Sequence, residues 1–185
     1  MGLSKKLLST EERISLTKRI ALSYYGAYQK KAVKEGATYD DWKFAKGATY
    51  WSPYFGNEMI DLETNPISVE DSATMEALSY SVEFPDWAPL NFEFWPAAEG
   101  VAWKSNFGGH SKTTGELKSF FAYSYININE FGEITHWETH VNVDYDKFLD
   151  EAIGEHGPYI GAQDYMVAVT KKLQTAGIDL FAFKH

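Results

Sequence analysis

Ile134-Thr135-His136-Trp137-Glu138-Thr139-His140-Val141-Asn142 alternates with the two-residue period of a β-strand. One face would carry Ile134, His136, Glu138, His140 and Asn142, and the other Thr135, Trp137, Thr139 and Val141. The turn Asn129-Glu130-Phe131-Gly132-Glu133 precedes it, with another alternating run before that, so the segment closes a hairpin. Three titratable groups in a row are costly to bury unless something uses or satisfies them. Two readings stand. Either the row lines a pocket, or Trp137 and Val141 face the core and the row faces water.

Working outward, residues 90–95, 101–107, 117–128 and 133–143 are β-branched and aromatic runs at hairpin spacing, which predicts an antiparallel meander. Upstream, Ser9 and Glu12 form a capping box. Ile14, Leu16, Ile20, Ala21, Tyr24, Ala27 and Tyr28 follow at helical spacing, predicting a helix over 11–35 with Gly36 as its stop. A short helical piece is expected over 39–45, then within 48–62 a strand, a kink at Pro53 and Gly56, and a second short strand or a loop. A helix over 68–82 is stopped by Phe84-Pro85-Asp86-Trp87, because a residue before proline is pushed out of helical geometry. Helices over 146–153 and from Pro158 to Gly177 end the chain. The order indicates an α+β fold, with helices packed on one side of a curved antiparallel sheet.

The 185 residues suit one domain, and 16% aromatic content excludes disorder. A net charge of −9 without a basic cluster argues against nucleic-acid binding. The absence of cysteine excludes disulfides and thiolate chemistry. Residues 1–8 lack a long apolar core and no run approaches a membrane span, so a soluble, cytoplasmic protein without membrane partners is expected.

The first helix, Phe84-Pro85-Asp86-Trp87, and Phe131-Gly132-Glu133-Ile134 leading into Glu138 and Val141-Asn142-Val143 resemble the SnoaL-like branch of the nuclear-transport-factor-2-like (NTF2-like, ketosteroid-isomerase-like) superfamily. Within it, phenazine-biosynthesis A/B-type proteins are the nearest pattern. The resemblance covers roughly residues 11–143 and implies a conical half-barrel of curved antiparallel sheet, closed by N-terminal helices around an apolar pocket. Residues 1–185 would then be a single NTF2-like domain, with 144–185 a helical C-terminal extension. The resemblance also implies a homodimer without metal or cofactor, and isomerase, lyase (dehydratase), polyketide-cyclase or condensing chemistry of the kind met in secondary metabolism. Its acid–base glutamate falls on Glu138, and a pocket aspartate on Asp86. His136 and His140 are not part of that pattern.

Glu138 is the leading catalytic candidate: on an aromatic-lined wall, desolvation would raise its pKa toward neutrality. His136 or His140 would set its protonation, with Asp86 as a second acid–base group. A rim glutamate paired with a histidine is the plainer alternative. A metal on His136, Glu138 and His140 would strain the strand, since the outer pair lie about 13–14 Å apart at the backbone. His110 is the only further histidine suggested nearby, so no metal is expected. Tyr123, Tyr125, Trp51, Tyr54, Trp87 and Trp103 are the candidates for substrate contact, although such rings more often fill a core. Two functions remain: an enzyme acting on a hydrophobic, carbonyl-bearing or polyketide-like compound, or a non-catalytic ligand-binding or dimerisation module. They differ in whether Glu138 meets polar partners in a closed cavity or points to solvent.

Overall fold

The computed structural model describes residues 5–29, 39–53, 59–63, 80 and 83–153. Helix α1 (Thr10–Gln29) opens as its sequence dictates: the Ser9 N–H donates to Glu12 and the Glu12 N–H to Ser9 Oγ, satisfying two helix-end donors. The expected continuation to residue 35, most of the 68–82 helix and the helix from Pro158 lie outside the described residues. A 3₁₀ turn, Tyr39–Asp41, leads into β1 (Phe44–Trp51). The helix expected over 39–45 therefore gives way at Phe44, where pairing with Ile134 wins over local propensity.

The remaining strands are β2 (Met59–Asp61), β3 (Ala88–Pro96), β4 (Gly100–His110), β5 (Leu117–Ile128) and β6 (Ile134–Val141), followed by α2 (Tyr145–Ile153). They form one open six-stranded sheet in the order β2-β1-β6-β5-β4-β3. The β3-β4-β5-β6 meander is antiparallel as expected, but β1 runs parallel to β6, so the sheet is mixed. Its margins are the three-residue β2 and β3, which carries Pro89 and Pro96 near its two ends. An open six-stranded sheet beside one long helix is an α+β arrangement, the class that the sequence indicated. Among the described residues no helix is long and apolar enough to cross a membrane.

Alternation sorts the sheet into two faces. Leu16, Ile20, Ala21 and Tyr24 recur along one stripe of α1 and bury against Tyr50, Trp103, Ile126 and Trp137 on the inner face. The Tyr24 ring lies 4.7 Å from Trp103 and 6.3 Å from Trp137, and Trp137 stacks on Tyr50 at 4.1 Å. Each such side chain contributes about 1.5–3 kcal/mol of burial. Toward the other end of the strands, Trp87, Phe107, Phe120 and Phe148 form a second aromatic cluster, to which α2 contributes Phe148.

Two local features set the frame of the last hairpin. Gly132 adopts φ 78° in its turn, and a Cβ there would fall 2.6 Å from Leu8 and Leu16. In β6, Asn127 pairs with His136 but Ile128 pairs with Ile134, so one extra residue, Thr135, forms a bulge. The bulge turns Ile134 into the core, fully buried, and not onto the histidine face as unbroken alternation implied.

Candidate active site

Trp137 is 3% exposed beneath α1, so the row His136, Glu138, His140 projects from the opposite, outer face of the sheet. This is the water-facing alternative of the sequence reading in orientation, but the row is not merely solvated. Glu138 retains only 20% side-chain exposure and is gripped by three neighbours. Its Oε2 accepts from the Tyr125 hydroxyl and from His136 Nε2, the latter at 3.1 Å. Its Oε1 accepts from His140 Nε2 at 2.7 Å.

The strand pairings explain this convergence. Tyr125 is the cross-strand partner of Glu138 on β5, and Trp51 is its partner on β1. Thr49, in register with His136, places Oγ1 2.8 Å from His136 Nδ1. An ionised carboxylate only accepts hydrogen bonds, so both histidines present N–H at Nε2. In neutral His136 the Thr49 hydroxyl then donates to Nδ1, and both ring nitrogens are occupied. His140 differs: its ring packs on Trp51 at 4.7 Å, its side chain is 48% exposed, and Nδ1 has no hydrogen bond among the described residues.

Glu138 is held below the ordinary carboxylate pKa. Burial is the largest single influence and acts upward, but the hydrogen bonds from Tyr125, His136 and His140 together outweigh it. The sequence-based expectation of a raised pKa is therefore corrected, because it counted the desolvation and not the donors. The same bond holds the proton on Tyr125, whose pKa is raised by Glu138, then by burial and charge. Tyr123 lies beside this group on the outer face, 44% exposed, in register with His140.

Other candidates lie elsewhere. Asp86 accepts from the His110 N–H at 2.6 Å and pairs with His110 Nδ1 at 2.7 Å, which lowers its pKa. His110 is eight residues along β4 from Ala102, the partner of Tyr125, a separation of roughly 26 Å at about 3.3 Å per residue. Asp86 and Glu138 are thus too far apart to share one small substrate. Trp103 is 1% exposed in the inner core and cannot touch a ligand beside Glu138. Trp87 belongs to the second aromatic cluster, and Tyr54 lies outside the described residues. Among the described residues no group of three or more metal-ligating side chains is arranged to hold an ion. Thr49 was missed because only the parallel β1–β6 pairing, invisible to local periodicity, brings it to His136.

No protein-family model matches the chain, and no curated protein matches its sequence. Solved structures of similar shape include a candidate SnoaL-like polyketide cyclase from Jannaschia sp. at 11% identity, covering 83% of this chain and 98% of that one, with TM-score 0.43. A phenazine biosynthesis-related protein from Pseudomonas aeruginosa has 12% identity, coverage of 83% and 93%, and TM-score 0.44. An NTF2-like protein from Burkholderia thailandensis has 13% identity, coverage of 73% and 92%, and TM-score 0.45. Such identities transfer no residue's role, so the chemistry of the site rests on this chain's own side chains.

Proposed function

We propose that this protein is a small-molecule enzyme of the acid–base type, with His140 as the proton carrier and Glu138 as its ionised anchor. Support comes from one observation above all. Glu138 commits both oxygens to three donors, and of the two imidazoles it holds, only His140 keeps a nitrogen without a hydrogen bond among the described residues. A carbon acid beside a carbonyl, laid against Trp51, Tyr123 and Tyr125, would lose its proton to His140 Nδ1. Negative charge moves to the carbonyl oxygen, the Glu138 carboxylate stabilises the imidazolium, and the proton returns at another atom. Isomerisation, dehydration and cyclisation of a hydrophobic carbonyl or polyketide-like compound all use this step. His136, fixed by Thr49, acts as a positioning residue.

The test begins with a thermal-shift screen of aromatic ketones and polyketide-like compounds, followed by turnover assays on those that bind. His140→Gln and Glu138→Gln should each lower kcat by about 10²–10⁴ while binding survives. Full activity in His140→Gln would overturn the role given to that residue. A second reading, a dimerisation module, is favoured by the exposed Trp95, Tyr123 and Tyr125 on the same face.

A further inference from the structure

A cavity of about 380 Å³ opens between α1, the 3₁₀ turn and the β5–β6 hairpin. That volume is within the range of small-molecule sites, about 300–1,000 Å³. Leu8, Leu16 and Phe131 supply its apolar surface, and Gly132 lets the hairpin close tightly on the two leucines. Four charged side chains complete the lining: Glu12, Arg19, Asp41 and Lys43.

Three of these charges are already committed. Glu12 takes Lys6 Nζ at 2.7 Å and the Ser9 N–H at 2.7 Å. Arg19 grips Asp41 through Nε at 2.8 Å and Nη2 at 3.0 Å, and reaches Ser15 Oγ from Nη1 at 3.1 Å. Lys43 makes no ion pair or side-chain hydrogen bond among the described residues, although its backbone N–H is anchored on the Asp41 carbonyl. The cavity's uncommitted charge is therefore positive, on a chain of net charge −9. The guanidinium of Arg19 is held in a fixed fork, with two of its five N–H donors not used by Asp41 or Ser15. Such a wall suits a planar carboxylate, whereas Glu12 and Asp41 beside it disfavour a phosphate dianion.

We propose that this cavity binds a small amphipathic carboxylate, its charge on Lys43 and Arg19 and its apolar body on Leu8, Leu16 and Phe131. The site is separate from the Glu138 row and does not depend on the chemistry proposed there.

The experiment is a nuclear magnetic resonance titration of the full chain with 2-naphthoate, and with neutral 2-naphthamide as its isostere. Naphthoate should shift the Leu8 and Leu16 methyls and the Phe131 and Gly132 amides with saturation. Naphthamide should bind at least tenfold more weakly. Lys43 is exposed, so Lys43→Gln should leave the fold intact and weaken naphthoate about tenfold, as expected for one lost charge-assisted contact. Lys43→Glu should weaken it further, and neither change should affect naphthamide in that direction. Equal binding of acid and amide, unchanged affinity in Lys43→Gln, absence of saturation, or shifts centred on Tyr125 and His140 would each overturn the proposal.

Discussion

Glu138 meets three donors on an outer sheet face, and that fixes how pH acts on it. A carboxylate held below its ordinary 4.5 contributes stability that is complete above that value and is lost as pH falls through the lower folded value. Glu12, Glu83, Asp86 and Glu133 are depressed as well, so acid weakens the whole protein, and a comparison is needed to isolate Glu138. Urea midpoints of wild type and Glu138→Gln should differ most above the ordinary carboxylate value of 4.5 and converge as pH falls below it. A difference independent of pH would mean that Glu138 is not the ionised anchor. The meeting of His136, Glu138 and His140 was legible from two-residue alternation. The state of the carboxylate was not, because Tyr125 donates from another strand and Thr49 acts from 87 residues away.

At the scale of elements, period and hairpin spacing carried the β3-to-β6 meander, and the bounds of β5 agree with those read from the sequence. Failures arose where pairing overrode the local pattern: at Phe44, drawn into a strand, and at Thr135, whose bulge moves Ile134 to the other face. Which face of β6 meets the helices was open in the sequence, since Trp137 and Glu138 each had a plausible claim to the interior. The two tryptophans on either side of the sheet test the answer. Trp137→Ala should cost about 3–5 kcal/mol by urea denaturation, as for other large-to-small core changes. Trp51→Ala, half-buried on the outer face, should cost clearly less. A larger loss at Trp51 than at Trp137 would reverse the faces.

For the molecule as a whole, α1 covers the inner face while the outer one leaves Trp95 56%, Tyr123 44% and Tyr125 36% exposed. Lys104 sits among them with Nζ 4.3 Å from the Phe121 ring centre. Exposed Trp and Tyr are the residues enriched at interface cores, and on this face they surround Glu93, Lys104 and Glu138. We propose that two copies pair through it, enclosing the Glu138 row and drying the site. Light scattering should then give a homodimer at micromolar concentration. Tyr123→Arg, at mid-face, should give a folded monomer with an unchanged circular dichroism spectrum. A monomeric wild type would leave the row open to solvent and the pairing wrong.

The two margins of the sheet bear on how such association can proceed. Among the described residues, β2 is an edge only three residues long and leaves little ladder for an incoming strand, while the prolines near both ends of β3 remove two backbone donors and confine its free ladder to residues 90–95. Growth by adding strands edge to edge, the route to fibrils, is thus discouraged at the β2 side and shortened at the β3 side. Copies that meet face to face are consumed in pairs, and the assembly stops at a finite size.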